Sequence, residues 1–192
     1  MNYHAPWWLP GGNLQTIWPA LYARRFGEHP RYRRERWITP DSDFVDLDWL
    51  DGAPTLDTAC TALPPEGAAL AWGGPARRPS SGERPLLVLF HGLEGSSRSH
   101  YAEAFADFAR ERGLAYVVPH FRGCSGETNH GPRAYHSGDY EEIGWILARL
   151  RQVHPGPLVA VGVSLGGNAL LRWAAEAGAA AGACAQAVAA VC

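Results

Sequence analysis

The sequence predicts an α/β fold: a mostly parallel sheet with helices on both faces, opened by an antiparallel hairpin. Three observations lead there. Leu86–Phe90, Ala115–Val118 and Pro157–Val161 are continuous apolar runs rich in β-formers, as expected of strands buried on both faces of a parallel sheet. Segments with helical apolar spacing follow these runs, so strand and helix alternate three times. Ahead of the first run stand two strand-like stretches joined by a turn, which supplies the hairpin.

The elements follow in order. Trp37-Ile38-Thr39 reads as a short strand, and Pro40-Asp41-Ser42-Asp43 as a turn by its residue types. Phe44 to Leu50 alternates, with Val45, Leu47 and Trp49 on one face and Asp46 and Asp48 on the other. This predicts a half-buried antiparallel strand. The aspartates are expected to face solvent, their period of two favouring exposure over a metal site. Gly52 to Glu83, rich in Ala, Pro and Gly, reads as a long surface loop. Ser97 or Ser99 can cap a helix in which Tyr101, Ala104, Phe105 and Phe108 sit at i, i+3, i+4 and i+7, and which Gly113 ends. Asp139, with Glu142 three residues on, predicts a capping-box start for the next helix. Its apolar stripe is Ile143, Ile146, Leu147 and Leu150. A further helix runs from Ser164 to about Gly178, and Ala185 to Val191 reads as a last strand.

At 192 residues the chain is long enough for one domain with a substantial core. It has no internal repeat and no apolar run of membrane-spanning length. The N-terminus, Met1 to Trp8, lacks the basic-then-apolar order of a signal peptide, so a cytoplasmic protein is expected. Cys60, Cys124, Cys184 and Cys192 show no Cys-x-x-Cys spacing and read as free thiols. His120, Cys124, His130 and His136 match no standard zinc spacing, so no metal is expected. Every basic residue is arginine, which excludes a Schiff-base lysine, a Walker lysine and a Ser-Lys dyad within these residues. Arg24, Arg25, Arg31, Arg33, Arg34 and Arg36 cluster, but Asp41, Asp43, Asp46, Asp48 and Asp51 follow, and the net charge is −2. That pattern reads as a solvated face and not as a nucleic-acid surface.

The chemistry is concentrated in two stretches. Gly162-Val163-Ser164-Leu165-Gly166 has the form Gly-x-Ser-x-Gly and stands between a strand and a helix. This is the context of a nucleophile elbow, a sharp turn that leaves no room for a side chain at either glycine. Ser164 is thereby placed at a helix N-terminus, where free N–H groups favour negative charge. The second stretch, His91-Gly92-Leu93-Glu94-Gly95, follows directly from the strand ending at Phe90.

Several segments together resemble the YheT-type subfamily of α/β-hydrolases. They are Asn13-Leu14-Gln15-Thr16-Ile17, Asp43 to Trp49, His91 to Ser96, Phe121 to Glu127, Tyr135-His136-Ser137-Gly138 and Gly162 to Asn168. The resemblance implies a carboxylic-ester hydrolase acting on short- or medium-chain acyl groups through an acyl-enzyme on Ser164, without a cofactor. It implies that the backbone N–H groups of Leu93 and Leu165 form the oxyanion hole, and that His91 shapes its loop and is not the base. Arg122 to Gly126 would shape the pocket rim, with Cys124 in a tight turn beside the site. An acyltransferase with an alcohol acceptor would use the same nucleophile. The substrate is a small acyl ester, and peripheral contact with lipid is compatible with the resemblance.

In the family the triad acid and histidine follow the serine in chain order, whereas here only one helix and one strand follow Ser164. None of the eight histidines lies where the family's base would be. The expectation is therefore a hydrolase domain, residues 1–192, lacking its C-terminal strands, acid and histidine. A catalytically inactive fragment or binding module is the rival reading from a different class.

Overall fold

The computed structural model describes residues 5–22, 28–51 and 83–192. The long-loop expectation for Gly52 to Glu83 lies outside the described residues apart from Glu83, as does Cys60. After α1 (Gly11–Tyr22) come β1 (Tyr32–Ile38), β2 (Phe44–Leu50), β3 (Leu86–Phe90), α2 (His100–Glu111) and β4 (Ala115–Pro119). Then follow α3 (Tyr140–Val153), β5 (Leu158–Val163), α4 (Leu165–Ala177), a 3₁₀ turn at Gly178–Ala180, α5 (Ala181–Cys184) and β6 (Ala187–Val191). The sheet order is β1-β2-β4-β3-β5-β6. β1 and β2 form the expected antiparallel hairpin, β2 pairs antiparallel with β4, and β4, β3, β5 and β6 run parallel.

Side-chain alternation along β3 divides the core. Leu86, Val88 and Phe90 face α3 and α4, where the predicted stripe Ile143, Ile146, Leu147 and Leu150 is fully buried together with Leu170 and Trp173. Leu87 and Leu89 face α2 on the opposite side. Helices thus cover both faces, the arrangement a parallel sheet requires. The face α2 presents is not the expected one. Ala102, Ala106 and Ala109 are buried, whereas Phe108 is exposed and Tyr101 and Phe105 are half-buried. Small residues let the helix axis approach the sheet, and the aromatic residues lie along its flank.

Two further expectations are corrected. β1 is longer than Trp37–Thr39, starting at Tyr32, and its register sets Arg34 opposite Asp48 and Arg36 opposite Asp46. Each arginine grips its aspartate with two hydrogen bonds, at 2.7 and 2.9 Å for Asp48 and 2.7 and 2.8 Å for Asp46. Asp46 and Asp48 are therefore buried, not solvent-facing; cross-strand ion pairing makes their burial tolerable. Asp139 does occupy the N-cap position of α3, but no capping box forms. Its carboxylate receives Arg133, and the Glu142 side chain is drawn to Arg122 instead.

Candidate active site

The parallel pairing of β3 with β5 sets Phe90 against Gly162. The loops leaving the carboxyl ends of these neighbouring strands must therefore touch, which is where open α/β sheets place their ligands. A Cβ added to Gly92 would stand 3.5 Å from the Ser164 Cβ, so the His91–Gly95 loop lies directly against the serine.

Ser164 is exposed and has φ 52° and ψ −114°. With Ser42 and Glu94 it is one of three non-glycine residues with positive φ among the described residues. Such a conformation costs about 1–3 kcal/mol and persists only where its surroundings hold it. Here the Ser164 N–H donates to the Val191 carbonyl of β6 at 2.7 Å, and the Ser164 carbonyl accepts from the Asn168 N–H at 3.0 Å. The flanking glycines are steric requirements. A Cβ on Gly162 would lie 2.4 Å from the Gly166 carbonyl oxygen, and one on Gly166 would lie 2.4 Å from the carbonyl oxygens of both Phe90 and His91.

Leu93 and Leu165 flank the serine with unused donors. The Gly92 N–H donates to the Tyr101 hydroxyl at 2.9 Å, the Glu94 N–H to the Tyr135 hydroxyl at 3.0 Å, and the Gly95 N–H to the Gly92 carbonyl at 3.0 Å. The N–H groups of Leu93 and of Leu165, the first residue of α4, have no acceptor among the described residues.

His91 is fully buried, with both ring nitrogens committed. Nε2 accepts from the Phe121 N–H at 3.1 Å, so the proton sits on Nδ1 and is donated to the Gly92 carbonyl at 2.8 Å. Burial pushes its pKa down to about 4 against the raising effect of that carbonyl, and His120, with its ring centroid 5.8 Å away, adds to the lowering. The ring is a neutral strut between two loops.

Beneath it lies a polar layer that the sequence reading missed. Asp48 receives Arg34, the Ser97 hydroxyl at 2.6 Å and His120 Nε2 at 3.0 Å, while His120 Nδ1 faces the Cys124 carbonyl at 3.2 Å. Burial alone would raise the Asp48 pKa, but Arg34, His120 and Ser97 outweigh it and hold the carboxyl well below its usual range. The available signal was the matching period-two placement of Arg34, Arg36, Asp46 and Asp48 on two strands of one hairpin.

The Phe121–Gly138 loop is anchored similarly. The Asp43 carboxylate accepts from the N–H groups of Phe44, His130 and Gly131, from Asn129 Nδ2 and from Arg122. Against the raising effect of burial, these bonds hold its pKa well below the carboxylate range. Arg122 is buried among Asp41, Asp43 and Glu142. It anchors the loop from below, so its expected place at a pocket rim is corrected. Cys124 does sit in a turn, its N–H bonded to the Phe121 carbonyl at 2.9 Å, and burial pushes its thiol pKa up, opposite to the trend of a reactive thiolate. His120, Cys124, His130 and His136 form no metal-holding group among the described residues. Cys124, Cys184 and Cys192 are free thiols. Among the described residues no helix is long and apolar enough to cross a membrane.

A family model described as alpha/beta hydrolase fold matches residues 85–191. The chain is 41% identical over 159 residues to YheT of Escherichia coli (strain K12), a protein that carries the name of an esterase; the match covers 82% of this chain and 39% of YheT. It is 27% identical over 178 residues to the phospholipase ABHD3 of Homo sapiens, covering 92% of this chain and 38% of that protein. A third relative is the medium-chain fatty acid ethyl ester synthase/esterase 2 of Saccharomyces cerevisiae (strain ATCC 204508 / S288c). It is 35% identical over 99 residues, covering 49% of this chain and 21% of that protein. The chain thus spans about two fifths or less of the length of these relatives. Among solved structures, a CIB-like hydrolase from Thermoplasma acidophilum matches with a TM-score of 0.51 at 14% identity, covering 84% of this chain and 62% of that one. That likeness shows the fold.

Proposed function

The chain belongs to the α/β-hydrolase family, and from that membership we propose that it carries the nucleophile and oxyanion hole of a serine esterase. The observation that carries the reading is the pair of uncommitted N–H groups, Leu93 and Leu165, beside an exposed, backbone-strained Ser164, with the Gly92, Glu94 and Gly95 N–H groups around Leu93 all taken. In this reading Ser164 Oγ attacks the carbonyl carbon of a short- or medium-chain acyl ester, its proton passing to a general base that returns it to the departing alcohol. The carbonyl π pair moves to oxygen, where the two N–H groups receive the negative charge. Collapse expels the alcohol and leaves an acyl group on Ser164, which water then removes. We assign the base to none of the histidines in this sequence, His91 being excluded by the commitment of both its nitrogens.

The test is hydrolysis of p-nitrophenyl butyrate by the protein purified at full length, together with labelling by a fluorophosphonate. Ser164→Ala should abolish labelling and lower kcat by on the order of 10⁴ or more. Undiminished hydrolysis by Ser164→Ala would remove the reading. The yeast relative's name, synthase and esterase, favours a second outcome of the same acyl-enzyme: transfer to an alcohol. Ethyl ester formed in competition with free acid when ethanol is added separates the two.

A further inference from the structure

We infer that Tyr135 and Tyr101 are positioning residues for the oxyanion donor, their hydroxyls capping the N–H groups on either side of Leu93 so that the Leu93 N–H is held out for the substrate. The inference rests on the esterase reading of Ser164 for its catalytic meaning, but the clamp itself is geometric.

The problem it solves is local. The Leu93 side chain is 69% exposed, so nothing in that side chain fixes where its N–H points. The next residue, Glu94, has φ 52°, a left-handed conformation that a glutamate does not adopt unaided. In that conformation Glu94 is the third residue of a turn that brings the Gly95 N–H back to the Gly92 carbonyl. Something must hold the loop in this shape.

Tyr135 holds Glu94 at two points. Its hydroxyl accepts from the Glu94 N–H at 3.0 Å and donates to Glu94 Oε1 at 2.8 Å. The ring is fixed in turn by stacking on Phe121, centroids 5.3 Å apart and planes 12° from parallel. Phe121 is tied to the same loop through its N–H on His91 Nε2. Tyr101 performs the matching task on the other side. Carried by α2, it brings its hydroxyl to 2.9 Å from the Gly92 nitrogen. This contact also accounts for Gly95, because a Cβ there would lie 2.4 Å from the Tyr101 hydroxyl. Two phenols from separate elements thus secure the donors at Gly92 and Glu94 and leave the one between them unspent.

Phenylalanine at either position keeps the ring and deletes the cap, and Glu94→Gln keeps an acceptor for the Tyr135 hydroxyl. Two readouts are made on each variant. Amide hydrogen exchange, which needs no turnover, should accelerate at Glu94 in Tyr135→Phe and at Gly92 in Tyr101→Phe, and stay at the wild-type rate in Glu94→Gln. Ester hydrolysis should show kcat reduced about tenfold in each phenylalanine variant with KM little changed, a fraction of the ~10²–10³ that loss of an oxyanion donor costs, and Glu94→Gln should stay near wild type. A general structural role would not spare KM or be rescued by glutamine. Unchanged exchange, or wild-type kcat in both phenylalanine variants, overturns the inference. If the wild type shows no Ser164-dependent turnover, the esterase reading fails and exchange alone decides the clamp. If one phenylalanine variant does not fold, the other and Glu94→Gln decide it.

Discussion

Acidification from pH 7 to 4 is expected to cost this fold about 3 kcal/mol through a single side chain, His91. The imidazole is fully buried, gives its one proton to the Gly92 carbonyl and accepts the Phe121 N–H on the other nitrogen. A second proton would have to sit on Nε2, pointing at the Phe121 N–H, in a buried place. Burial, opposed by the Gly92 carbonyl and helped by nearby His120, lowers the pKa from 6.5 to about 4. The unfolded chain takes up the proton near 6.5, and the folded chain resists it until about 4. Between these values the unfolded state binds more protons, so stability is complete above 6.5 and falls as the pH drops to 4. At about 1.4 kcal/mol for each tenfold change in proton affinity, the loss is about 3 kcal/mol. Urea unfolding at pH 7, 5.5 and 4 reads it. His91→Gln, whose amide does not titrate, should be the less stable protein at pH 7 but should lose about 3 kcal/mol less on acidification. His154, also lowered by burial, acts in the same direction and is common to both proteins, so the comparison isolates His91. Equal acid losses in the wild type and His91→Gln would refute the neutral-strut assignment.

On the esterase reading, Leu93→Pro deletes the proposed oxyanion donor and should lower kcat by on the order of 10²–10³, whereas Leu93→Ala keeps the N–H and should cost far less; equal losses in two folded variants would place the hole elsewhere. Gly166→Ala puts a methyl group 2.4 Å from two backbone carbonyl oxygens and should destabilise the fold by about 4 kcal/mol or more, read by thermal unfolding. Gly92→Ala meets nothing closer than 3.4 Å, so its stability should stay within about 1 kcal/mol of wild type while turnover falls, because the new methyl stands 3.5 Å from the Ser164 Cβ.

Much of the fold and part of the site could be read from the chain, and the division has a physical cause. Runs such as Leu86–Phe90, and the stripe Ile143, Ile146, Leu147 and Leu150, report burial directly, because apolar residues at a fixed period have one favourable environment. The Gly-x-Ser-x-Gly turn is legible for a related reason: a Cβ at Gly162 or Gly166 collides with backbone, so the sequence there is close to a steric transcript of the turn. Polar residues carry no such report. Asp46 and Asp48 have the period of an exposed face, but their burial depends on Arg34 and Arg36, whose register across the hairpin is a tertiary fact. Asp139 and Glu142 have the spacing of a capping box, but Arg133 and Arg122 offer stronger partners from other parts of the chain. On α2 the aromatic residues at helical spacing drew attention from the alanines, which pack closest because they are small.

The same contrast bears on how the site is held. The serine is set by sterics and by hydrogen bonds from within the elbow and from β6, all of them backbone contacts. The facing loop is set by groups that arrive from α2 and from the stretch after β4, the Tyr101 and Tyr135 hydroxyls and the Phe121 N–H, and its continuation is tied to β2 by the Ser97 hydroxyl on Asp48. That stretch is itself pinned to the first hairpin by Asp43 and Arg122. The hairpin therefore lies apart from Ser164 but inside the chain of contacts that sets the loop beside it. Arg122 bonds Asp43, Asp43 fixes Asn129 to Gly131, and the stretch so anchored continues to Tyr135, whose hydroxyl reaches the loop beside Ser164. A change at Asp43 should accordingly reach the Leu93 N–H through Tyr135, although no atom of Asp43 belongs to the elbow.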